Sequence, residues 1–127
     1  MNWRLQVEEN HFEDITDGDR LRERLLQLHE QAKPDPFFAI LNAPDGSSLA
    51  LGLGRELSVL SYTAPEGWPA RHVLADVAEE GLVNYKFLGH FSEMPVRYAV
   101  PLHEALDAAV DFFSSGELSA RLQWEDD

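Results

Sequence analysis

The chain has 127 residues, with ten Lys or Arg against 23 Asp or Glu, a formal charge of −13, and no cysteine. The length fits one domain over residues 1–127, large enough to bury a core without a disulfide or a metal. The missing cysteines exclude a thiol nucleophile and a cysteine-ligated metal centre. The acid excess argues against nucleic acid or an anionic membrane as partner, since both need a basic footprint. No apolar stretch approaches the ~20 residues of a membrane span. The start, Met1-Asn2-Trp3-Arg4, lacks the apolar core of a secretory signal. A cytoplasmic location is the expectation.

Trp3, Leu5 and Val7 alternate with polar residues, as in a half-buried strand. His11 to Ile15 reads as polar and irregular. Thr16 is the expected N-cap of a helix reaching about Lys33, with Asp19 in the capping-box position and Leu21, Leu25, Leu26 and Leu28 as its apolar stripe. Pro34 and Pro36 stop it. Phe37 to Leu41 is expected as a buried strand, followed by turn chemistry in Asn42-Ala43-Pro44-Asp45-Gly46. Leu49, Leu51 and Leu53 make a returning strand, with small residues Ala50 and Gly52 on its other face. Leu57 onward makes a third strand.

Pro65 to Pro69 is a loop carrying Trp68, and Arg71 to Ala75 is a short strand. Asp76 to Gly81 is acidic and turn-like. Val83, Tyr85 and Phe87 define another strand. The stretch from Gly89 to Pro95 breaks the alternation and is expected as a projecting loop. After an extended Val96 to Val100, Pro101 opens a second helix, Leu102 to Phe113 repeat at helical spacing, and Gly116 ends it. Leu118 to Trp124 reads as a last strand and Glu125-Asp126-Asp127 as a charged tail. The sum is an α+β fold: a mostly antiparallel sheet of about five to seven strands, with two helices on one face.

Catalytic motifs are sparse. There is no phosphate-binding glycine loop, no dinucleotide fingerprint around Gly52-Leu53-Gly54, and no nucleophile-elbow serine. No two of the five histidines sit at helical i, i+4 spacing, so no metal pair is expected. His29 and His103 read as solvated helix-surface residues. His90 and Glu93 could form an acid–base pair, or the same loop could be held by local hydrogen bonds. Asp76, Glu79 and Glu80 form one acidic cluster and Glu125 to Asp127 another, without calcium-loop spacing. Trp68, between Gly67 and Pro69, is a candidate interface anchor. No cofactor is expected.

The segment Leu51-Gly52-Leu53-Gly54-Arg55-Glu56-Leu57-Ser58-Val59-Leu60-Ser61-Tyr62 resembles a motif of the Imm1 family of bacterial immunity proteins. So, in order, do Val83 to Pro95, the helix start Val100-Pro101-Leu102-His103-Glu104-Ala105, the run Phe112 to Leu118, and Trp124-Glu125. The resemblance covers about Leu49 to Glu125 and leaves Trp68 to Glu80 unaligned. It implies a non-enzymatic protein that binds a toxin encoded nearby, often a nucleic-acid deaminase or nuclease, with Glu93 at the family's Ser-Glu-x-Pro position. An acidic inhibitor would complement the basic groove of such a toxin. The expected contact residues are Glu93, His90, Ser92, Asp76, Glu79, Glu80, Trp68 and Asp126. The competing readings are a small enzyme using His90 and Glu93, and a general acidic mimic of nucleic acid.

Overall fold

The computed structural model describes residues 2–8, 11–67, 70–74, 81–87 and 90–126. The expected sites Trp68, Asp76, Glu79 and Glu80, and the side chain of His90, lie outside the described residues. The chain order is β1 (Trp3–Glu8), β2 (His11–Ile15), α1 (Gly18–Ala32), β3 (Phe37–Asn42), β4 (Ser48–Leu53), β5 (Leu57–Thr63) and β6 (Ala70–Leu74). It continues with β7 (Leu82–Phe87), β8 (His90–Pro95), a 3-10 turn (Val96–Tyr98), β9 (Ala99–Pro101), α2 (Leu102–Ser115) and β10 (Gln123–Asp126).

The fold is α+β, and its sheet has ten strands among the described residues, more than the sequence suggested. The main path runs β10-β6-β5-β4-β3-β1-β2, all antiparallel. Its register follows the hydrophobic pattern, because a one-residue slip would turn each strand's apolar set to the other face. Leu5, Leu41, Leu49, Leu51, Leu53 and Leu60 thus share one core with Leu21, Leu25 and Leu28 of α1 and Phe112 of α2. Both helices pack on this face. Trp3 braces α2, with its ring 5.1 Å from Phe112 and 5.3 Å from Phe113. Each fully buried leucine adds about 1.5–3 kcal/mol.

Helix ends differ from expectation by one residue. Asp17, not Thr16, caps α1, and its carboxylate accepts the Asp19 N–H at 2.8 Å. Pro101 ends β9 and is the N-cap of α2, one residue before the first helical residue Leu102. At the far end Gly116 donates its N–H to Phe112 O at 2.8 Å.

Three segments were misjudged from sequence. His11 to Ile15 is strand β2, because pairing with β1 outweighs its polar composition. The final strand is shorter, covering Gln123–Asp126, so Glu125 and Asp126 belong to it. His90 to Pro95 is strand β8 and not a projecting loop, in full register with β7 from Phe87↔His90 to Leu82↔Pro95. The proline that read as a breaker stands last in this strand, where no ladder donor is required of it.

The β7–β8 hairpin covers part of the sheet face opposite the helices. β7 touches β3 through one parallel bridge, Phe37↔Lys86. The chain leaves β8 through the 3-10 turn and then pairs as β9 with Leu57–Val59 of β5. A second core forms beneath it from Phe38, Ile40, Ala50, Val59, Tyr85 and Ala99. No helix among the described residues is long and apolar enough to cross a membrane.

Candidate functional site: the outer face of the β7–β8 hairpin

The hairpin is seated through Tyr85. Its ring is fully buried and lies 5.0 Å from Phe38. It rests directly on the Gly52 backbone: a Cβ at position 52 would come 2.5 Å from two ring carbons. Gly52 is therefore required by close approach, which accounts for the small-residue face of β4. The Tyr85 hydroxyl donates to Leu57 O at 2.5 Å. Burial pushes its pKa up to about 12, so the hydroxyl stays a donor across the physiological range. Arg55 ties down the same strand. Its Nε donates to Asn84 O at 3.0 Å, and its guanidinium lies 5.7 Å from the Tyr85 ring centroid. Lys86 adds an ion pair to Asp35 at 2.6 Å.

Strand alternation sorts the remaining hairpin residues. Tyr85 and Val83 on β7, with Ser92 and Met94 on β8, share the inner face by register. Leu82, Asn84 and Lys86 share the outer face with Glu93 and Pro95. Leu82 is 61% exposed, the most exposed large apolar side chain of the described residues. Glu93 is exposed and has no hydrogen bond or ion pair among the described residues. The structure thus brings Glu93 and Leu82 onto one outward face and turns Ser92 inward. A carboxylate that merely holds a loop would show a local donor, and Glu93 shows none among the described residues.

Asp126 is not part of this face. It lies on β10, paired with β6, and accepts from Arg71 Nε at 2.9 Å. Next to it, Glu125 stands 3.5 Å from Nε2 of buried His72, whose ring stacks on Tyr98 at 3.7 Å. Arg97 reaches over Tyr98, 5.1 Å from the ring centroid. Sequence reading named the acids of this corner but not His72, Tyr98 or Arg97 as their neighbours, and it missed Leu82 and Arg55. Leu82 was legible in principle, since an apolar residue out of phase with Val83 and Tyr85 must point away from the core they share.

His29 also departs from the expected solvated helix surface. Its Nδ1 accepts the Gly54 N–H at 3.0 Å. Gly54 has φ +102, and a Cβ there would lie 2.5 Å from Ala32 O, so the β4–β5 turn presses on the end of α1. Desolvation, then the nearby Lys33 charge, lowers the His29 pKa, which suits a ring that must stay neutral to accept. Among the described residues no cluster of three or more His, Cys, Asp or Glu could hold a metal ion.

Comparison with known proteins returns one family. The model of the immunity protein family Imm1 matches residues 17–126. The chain belongs to the Imm1 family. Comparison with curated proteins returned no match. The Imm1 match takes in α1 and β3, beyond the stretch from Leu49 on which the sequence resemblance rested, and it contains the whole β7–β8 hairpin.

Proposed function

We propose that this Imm1 protein binds a cognate toxin encoded beside it and neutralises it by direct contact in the cytoplasm. The observation that carries the reading is the family match over residues 17–126. Charge supports it. Arg4, Arg22, Arg24, Lys33, Arg71, Lys86 and Arg121 are engaged in internal ion pairs, at least seven of the ten cations. The surface that remains is dominated by uncompensated acid, which favours encounter with a basic protein. The toxin is of the nucleic-acid-targeting kind, a deaminase or nuclease, whose substrate groove is basic. The inhibitor covers that groove or the surface beside it, and the protein itself needs no cofactor. The one-domain organisation over residues 1–127 fits a protein whose work is contact.

Co-expression tests this. The product of the adjacent gene should arrest growth alone and not beside this protein, and the two should co-purify. Growth arrest unrelieved by the protein, with no complex at micromolar concentration, would reject the reading. A general mimic of nucleic acid would instead bind several unrelated basic proteins with comparable affinity.

A further inference from the structure

Four strands of the described sheet have a single neighbour: β2, β10, β9, which has only three residues, and β8. Open edges are templates for pairing with another chain, and proteins blunt them with charge, bulges or brevity. β2 carries Glu13 and Asp14, both ion-paired, and its ladder with β1 is broken by an irregularity between Gln6 and Glu8. β10 has only four residues, two of them acidic. β8 has six residues in unbroken register and a single charged residue, Glu93. It is the longest of the four and the least protected edge.

The direction of its backbone groups follows from two observations. Val96 N–H donates to Gly81 O at 3.0 Å, so this pair is of the hydrogen-bonded kind. Pro95, opposite Leu82, has no N–H to give. Antiparallel pairs alternate. Met94 and Ser92 therefore bond inward to β7, while Phe91 and Glu93 present their N–H and C=O groups to the open edge.

We propose that the β8 edge is the docking strand of this protein, and that its occupant is an extended, basic segment of the cognate toxin. The segment adds antiparallel or parallel to β8 through the main-chain groups of Phe91 and Glu93. A cationic side chain on it meets the Glu93 carboxylate, and an apolar one packs beside Pro95, across which Leu82 extends the same outward face. Main-chain bonds give such an arrangement affinity, and the flanking side chains give it selectivity. A second copy of this chain is the disfavoured occupant, because it would bring another −13 to the same edge. The inference rests on the immunity reading and adds to it the surface and the mode of contact.

Amide hydrogen exchange on the full-length protein, alone and with the product of the adjacent gene, tests it. The Phe91 and Glu93 amides should exchange freely in the protein alone and at least about tenfold more slowly in the complex. The Ser92 and Met94 amides should be protected in both. Glu93→Pro removes one outward donor and the charge, and should weaken the complex roughly tenfold. Glu93→Gln keeps the donor and should weaken it only a few-fold, and at low salt alone. A thermal midpoint for each free variant checks folding, and the exchange experiment on the wild-type chain needs no variant. A complex in which Phe91 and Glu93 still exchange freely would overturn the docking strand and leave the immunity reading intact. Absence of any complex would overturn both. Slowing with rising concentration of the protein alone would name a second copy as the occupant and overturn the proposal.

Discussion

Gly52 and His29 each hold a place through a contact that only one chemical form allows. At Gly52 the constraint is volume. The Tyr85 ring cannot retreat, since it is fully buried and its hydroxyl is bonded to Leu57 O at 2.5 Å. Gly52→Ala should cost about 1–3 kcal/mol by forcing an overpacked contact, read as a lower urea midpoint. At His29 the constraint is protonation. Its pKa is lowered from the ordinary 6.5 in the folded chain, so the unfolded state takes up the proton first. Its contribution is fully present above about pH 6.5 and is lost as the pH falls through the lower folded value. Glu30 and Lys33 are the charged neighbours and act in opposite directions. The urea midpoint should drop between pH 7.5 and pH 5.5, and His29→Gln, which keeps an acceptor, should reduce the drop. An equal drop in both proteins would remove His29 as its cause.

At the scale of elements, the first helix start separates composition from geometry. Thr16 and Asp17 are both good cap residues, and only the backbone decides which one turns the corner. Asp17 has the extended conformation and accepts the bond. Asp17→Ala should cost about 1 kcal/mol, while Thr16→Ala should be nearly neutral in the same denaturation assay. The strands tell a similar story. β3, β4 and β5 were legible because each buries a continuous or alternating apolar set against the helices or the second core. β2 and β8 were not, because each is defined by a hairpin ladder that polar or turn-forming residues disguise: His11, Glu13 and Asp14 in β2, and Gly89 and Pro95 around β8. Glu93 was expected as a contact residue on motif position, and its setting was misread: the sequence shows Pro95 and Gly89 and hides the six-pair ladder with β7. The Arg97–Tyr98–His72 stack carries no local signature, since His72 and Tyr98 meet only through the path of the chain from β6 to the 3-10 turn.

For the whole molecule, charge is the property that acts at a distance. With the cations largely consumed by internal pairs, the long-range field is that of the acid surplus. Association with a basic toxin should slow at least about tenfold between 20 and 500 mM salt, while the dissociation rate changes little, as measured by stopped-flow mixing. A salt-independent association rate would mean that the acid surplus serves solubility alone.

The sheet is built against two separate interiors, the helix-side core and the smaller one under the hairpin. The outward positions of the hairpin, Leu82, Asn84 and Glu93, reach neither. Those positions can therefore be rewritten at little cost to folding; if β8 docks the partner as proposed, the residues that choose it are not the residues that hold the chain together. A protector locked in a contest with a changing adversary gains from that division. It can follow each change in its opponent by altering three or four surface letters, with the foundation left untouched.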